Sequence, residues 1–167
     1  MNKQIRQYVG ILVAVITYYL VHEGAHFLSA VCFGVFRQIK FMGIGMQIDV
    51  YAENMTDLQM GIFNLMGAVG TFAAAWLLVA LRKKICMVKS SLFRAAAYYV
   101  TMVMLFLDPV YLSVLCGFFG GGDMNGISLL IPEVMARILF AVVGILHILV
   151  FVKLILPVYR SSFEKSA

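Results

Sequence analysis

"YVGILVAVITYYLVHEGAHFLSAVCFGV", residues 8 to 35, is long enough to cross the hydrocarbon core of a bilayer, which takes about 20 apolar residues. His22, Glu23 and His26 interrupt it. Ionisable groups at membrane depth are costly and by default mark function. Three further stretches, 60 to 81, 95 to 119 and 134 to 158, also have the length and apolarity of spans.

Composition agrees with that reading. With 63% hydrophobic and 13% charged residues, the chain is far from the mixture of a soluble globule. The expected fold class is an all-α polytopic membrane protein in the lipid bilayer. It has about four transmembrane helices and a short membrane-associated β-hairpin after the first, and residues 1 to 167 form one domain. The opening "MNKQIRQ" before an apolar run has the outline of a secretory signal. The run continues past Glu23 without an A-x-A site, and Val31 precedes Cys32 where a lipoprotein signal wants a small residue, so the segment is expected to stay as a span.

The net charge of +5 does not imply nucleic acid, because the basic residues are not interleaved with aromatics on a polar surface. They fall where membrane topology places them. "RKKICMVKSSLFR" (82 to 94) carries five Lys or Arg and "GGGDMNG" (120 to 126) none, so the former is expected in the cytoplasm. Crossings then place both termini inside, and residues 36 to 59 and 120 to 126 outside. Lys3, Arg6, Arg160 and Lys165 agree; Arg37 and Lys40 do not. Cys32, Cys86 and Cys116 are widely spaced in apolar surroundings and read as small buried hydrophobes, not as a disulfide or metal framework.

After the first span the period changes. Ile39 and Phe41 alternate with Lys40 and Met42, and Ile48 and Val50 with Gln47 and Asp49. That is strand periodicity, and a hairpin over about 37 to 51 is expected, with Gly43 and Gly45 at its bend. Thr56 or Asp57 is placed to cap the second span, whose Gly67, Gly70 and alanines suit close helix packing in lipid. The third span contains Asp108 before Pro109. Beyond it, "CGFFGGGDMNGI" is irregular backbone that lipid tolerates only beside protein or water. Pro132 and Glu133 open the fourth span, with Arg137 one turn on to pair with Glu133. His147, alone in that span, reads as a satisfied polar residue between helices.

His22 and His26 stand four apart and so share a helix face, the spacing at which two imidazoles hold one zinc ion. Glu23 lies beside them, placed to take a proton from a zinc-bound water without ligating. H-E-x-x-H on a helix is a hydrolytic zinc motif. From this composition it arises by chance in about one such sequence in a thousand, so chance is a poor explanation. Catalytic zinc takes a third protein ligand and keeps an open position. His22 is fourteen residues beyond Tyr8, about two-thirds of the way across at 1.5 Å per residue, nearer the side where the span exits. By crossing parity the loop 117 to 126 opens to that same side, which makes Asp123 the leading third ligand. Asp108, midway along the third span, is its rival.

An H-E-x-x-H in the first core span, the hairpin "FGVFRQIKFMGIGMQ", a glycine-rich helix and an aspartate loop follow one another over about residues 15 to 135. This order resembles the site-2 protease family of intramembrane zinc metalloproteases. The resemblance implies zinc ligation by His22 and His26 and catalysis by Glu23. It also implies zinc ligation by Asp123, although the family's L-D-G or N-P-D-G motif reads "GGGDMNG" here. "MGAVGT" (66 to 71) falls where many members show A-G-P-x-x-N, with Ala68 for the proline and Thr71 for the asparagine. Thr71, Asn64 and Asn125 are therefore the substrate-binding candidates. Family members commonly open the zinc site toward the cytosol, whereas the basic-loop count faces it outward.

The activity so implied is hydrolysis of peptide bonds in or near transmembrane segments of membrane-protein substrates, with Zn2+ as cofactor, one per chain. The setting is a multi-pass protein of a bacterial cell membrane, with a regulatory membrane partner as a further expectation. A non-catalytic protein that binds metal or helical clients is the alternative class, and the intact Glu23 argues against it. A transporter would line a path with more acidic or histidine residues than Asp108, Glu133 and His147. A prenyl-processing zinc peptidase would need Glu133 as ligand.

Overall fold

The computed structural model describes residues 2 to 42 and 45 to 164; Gly43 of the hairpin bend and Lys165 of the basic flank lie outside them. Four helices among the described residues are long and apolar enough to cross a membrane, and a two-stranded antiparallel hairpin follows the first. Helix α1 (Lys3–Cys32) leads into β1 (Phe36–Met42) and β2 (Gly45–Val50). Next come α2 (Asp57–Cys86), α3 (Ser91–Ser113), the short α4 (Asp123–Ile127), α5 (Glu133–Val150) and α6 (Leu156–Glu164).

Local chemistry sets these boundaries. Thr56 caps α2 in a capping box: its hydroxyl accepts from Gln59 N while the Gln59 side chain accepts from Thr56 N. The third span runs from 91 to 113, earlier than the expected 95 to 119, because Ser90 caps the Phe93 amide at 3.2 Å. The chain then tightens into a 3-10 turn over Leu115–Phe118. The fourth span continues to Glu164, past the expected end at 158, through a π turn at Phe151–Ile155. Pro157 has no N–H for the Lys153 carbonyl, and the widened turn absorbs the misfit. In the hairpin Ile39 faces Ile48, and Lys40 Nζ lies 2.9 Å from Asp49 Oδ2. The hydrogen bond from Lys40 holds the Asp49 carboxyl below its ordinary pKa.

Helix α1 packs against α2 and α3, α3 also against α5, and α4 against α2. One apolar cluster joins Ala14, Tyr18, Ala75, Val79, Met104, Leu105, Ile155 and Tyr159. A second gathers Ala68, Leu112, Met124, Ile127 and Phe140 around α4, and a third seats Ile48 of the hairpin on Ala30, Val35 and Phe63. The clusters hold α1, α4 and β2 around one point. Arg137 Nε donates to Glu133 Oε1 at 2.8 Å, the expected i,i+4 pair.

Pro109 lies inside α3 and cannot donate to the Leu105 carbonyl one turn back. His147 of α5 takes that place. Its Nδ1 donates to Leu105 O at 2.7 Å, and its ring is walled by Phe72 and Trp76. The histidine is buried because the proline left an acceptor to satisfy. Replacing His147 with Leu is expected to destabilise the protein by about 1–3 kcal/mol, the cost of a buried unsatisfied carbonyl. In a Pro109→Ala background, where the amide is restored, the same change should cost less. Unfolding of the four variants in detergent, as a double-mutant cycle, measures the difference.

Candidate metal centre

His22, Glu23 and His26 lie on the buried face of α1, between 3% and 9% exposed. His26 Nδ1 donates to the Phe63 carbonyl of α2 at 2.8 Å. A carbonyl can only accept, so the proton is on Nδ1 and the Nε2 lone pair is free. His22 turns its Nδ1 toward Asp108 Oδ1 and its Nε2 toward His26 Nε2, 3.3 Å and 3.2 Å away.

Asp123 reaches the same point from a distant part of the chain. Gly120, Gly121 and Gly122 take φ of +79°, +88° and +51°, the left-handed region that side chains resist. Gly121 N bonds back to Cys116 O at 2.8 Å, and the reversed chain enters α4 with Asp123 as its first residue. Asp123 Oδ2 then lies 3.1 Å from His22 Nε2 and 3.5 Å from His26 Nε2.

Two imidazole nitrogens and a carboxylate oxygen thus form a triangle with edges of 3.2, 3.1 and 3.5 Å. Tetrahedral bonds of about 2.0–2.1 Å give edges of about 3.3 Å, so the donor set has the size a zinc ion requires. With a neutral His22 protonated on Nδ1, all three atoms are acceptors and only a cation satisfies them together. His22, His26 and Asp123 could hold one metal ion. Asp108 is not among the three: it meets the other side of the His22 ring.

Gly67 of α2 forms the floor. A Cβ there would lie 2.5 Å from both His22 Cε1 and His26 Nε2, so the two rings occupy the space that a side chain would fill. Glu23 sits at the rim, its Oε2 accepting from the Ile48 amide of β2 at 3.1 Å. Its Oε1 makes no hydrogen bond among the described residues.

A polar cavity of about 400 Å³ opens on Glu23, His26 and Asp123, and Gln47, Asn64 and Asn125 line it. A second, of about 370 Å³, reaches His22, Glu23 and Asp123 from the side of Tyr19, Leu107 and Leu115. Of the substrate-binding candidates, Asn64 and Asn125 border the first cavity. Thr71 does not: it is 0% exposed, and its hydroxyl reaches Ala68 O and Asp108 Oδ2. An asparagine in the related motif suggested contact with substrate, but this shorter side chain turns toward α3. Sequence reasoning gave Gly67 a role in helix packing only, and assigned none at the site to Tyr18 or the Ile48 amide. Tyr18, one turn before His22 on the same face, could have been found from spacing; the other two depend on tertiary packing.

No protein-family model, curated protein or solved structure matches the chain.

Gly67→Ala is expected to push the imidazoles apart and weaken divalent-ion binding at least about tenfold, as disturbance of a ligand's support does at such sites. Gly24→Ala, whose added methyl meets nothing within 4 Å, should leave binding unchanged. Cobalt titration followed by visible absorption, with thermal unfolding as a folding control, compares the two.

Proposed function

We propose that the chain is an intramembrane zinc metallopeptidase of the site-2 protease type, cleaving protein substrates in or near their membrane-spanning segments. The observation that carries this reading is the meeting of His22 Nε2, His26 Nε2 and Asp123 Oδ2 within 3.5 Å, with Glu23 on the same helix face as the histidines. Two imidazoles and one carboxylate at tetrahedral spacing favour zinc, and three protein ligands leave a position open. When bound there, zinc supplies Lewis acidity, polarising a carbonyl and acidifying water.

The remaining chemistry belongs to the chain. Glu23 is held by the Ile48 amide through Oε2, which leaves Oε1 to take a proton from the attacking water. The same carboxyl returns that proton to the leaving amine nitrogen as the peptide C–N bond breaks. The products are a new carboxylate and a new amine.

A helical substrate hides its amides in its own hydrogen bonds and must unwind before attack. Gln47, Asn64 and Asn125 place side-chain amides along the polar cavity, where an unwound segment would lose its internal partners. The hairpin can take up an extended segment by strand addition. The polar cavity also gives water a route to Glu23. A regulatory membrane partner and a multi-pass arrangement in a bacterial cell membrane complete the proposal.

Purified protein is expected to hold about one zinc per chain and to lose it on His22→Ala or His26→Ala. Glu23→Gln should keep the zinc and lower cleavage of a membrane-helix reporter in liposomes by about 10²- to 10⁴-fold, the usual contribution of a general base. Elemental analysis and gel-based cleavage assays measure both. Cleavage at the normal rate by Glu23→Gln would exclude Glu23 as the base.

A further inference from the structure

Asp108 is 1% exposed, deep in α3, and each of its polar partners among the described residues is a potential donor. The Tyr18 hydroxyl donates to Oδ1 at 2.5 Å, His22 Nδ1 lies 3.3 Å from the same oxygen, and the Thr71 hydroxyl meets Oδ2. Tyr18 and His22 belong to α1, Thr71 to α2 and Asp108 to α3, so one carboxylate ties the three helices together at the back of the His22 ring.

We propose that Asp108 is a positioning residue for His22: it keeps a proton on Nδ1, fixes the ring plane and thereby aims the Nε2 lone pair at His26 and Asp123. Without it, Nδ1 would face only the Tyr18 hydroxyl, 3.3 Å away, which can donate as well as accept and so leaves the tautomer free. Asp108 contributes nothing to the first coordination sphere. Thr71 and Tyr18 act one step further out, by fixing the carboxylate's own orientation.

Two variants separate positioning from packing. In Asp108→Asn, the amide oxygen can still accept from His22 and Tyr18 while its NH₂ donates to Thr71. The Thr71 proton then goes to Ala68 O, already 2.9 Å away. This variant should fold and keep the Nδ1 proton. Asp108→Leu preserves bulk but removes the acceptor.

The first readout needs no metal: the histidine ¹⁵N spectrum of the metal-free protein in detergent. Wild type and Asp108→Asn should show a solvent-protected Nδ1–H on His22, absent in Asp108→Leu. The second is zinc affinity by chelator competition, expected to fall about 10- to 100-fold in Asp108→Leu and less in Asp108→Asn.

An unprotonated His22 Nδ1 in the wild type overturns the proposal, as does a folded Asp108→Leu that binds zinc like the wild type. Should Asp108→Leu not fold, Asp108→Ala, which also removes the acceptor, takes its place: loss of the protected Nδ1–H together with weaker zinc binding supports the proposal, and wild-type behaviour in both overturns it. The proposal rests on the zinc-site reading for its second arm only. A protected Nδ1–H in a wild type that binds no zinc would leave the positioning role standing and remove the proposed function.

Discussion

With His22 and His26 each protonated on Nδ1, three acceptor atoms meet at one point, and the chain is arranged to keep them in that opposition. His22 Nε2, His26 Nε2 and Asp123 Oδ2 stand 3.1 to 3.5 Å apart. Burying two imidazoles side by side on an apolar helix is costly, since each must be desolvated. Their Nδ1 atoms are therefore anchored outward, His26 on the Phe63 carbonyl and His22 against Asp108. The absence of a side chain at Gly67 gives the rings room, and the positive φ values of Gly120 to Gly122 bring the carboxylate in from the far end of the chain.

The same economy governs the polar groups elsewhere in the apolar interior. His147 serves the carbonyl that Pro109 abandons, and Glu23 takes the outward-facing amide of Ile48. In each case a costly side chain is paired with a backbone group that has lost its regular partner. A different case is the Nε2 side of His22 and His26, where buried polarity is gathered around the Asp123 carboxylate rather than around a backbone group.

Much of this was legible in the chain because it depends on period and order. Four apolar runs, a period-2 stretch between the first and second, and histidines four apart require no knowledge of packing. Asp123 could be brought near His22 by counting crossings. What stayed hidden depends on the rotation of one helix against another. Asp108 and Asp123 both looked able to reach the site, and only the orientation of α3 puts Asp108 on the Nδ1 side of His22. Thr71 was placed with the substrate through its position in a motif, yet its buried hydroxyl meets Asp108. The end of the third span was set too late because its apolar run continues through Phe118 and Phe119 after the helix has stopped at Ser113.

The central claim is that two histidines and one aspartate form a tetrahedral zinc site in an apolar helix bundle. X-ray absorption at the zinc edge on purified, zinc-loaded protein tests it most directly. The account predicts about four nitrogen or oxygen neighbours at about 2.0–2.1 Å, with the outer-shell scattering of two imidazole rings. A sulfur neighbour at about 2.3 Å, which would bring in one of the cysteines, or a shell without imidazole scattering, would contradict it.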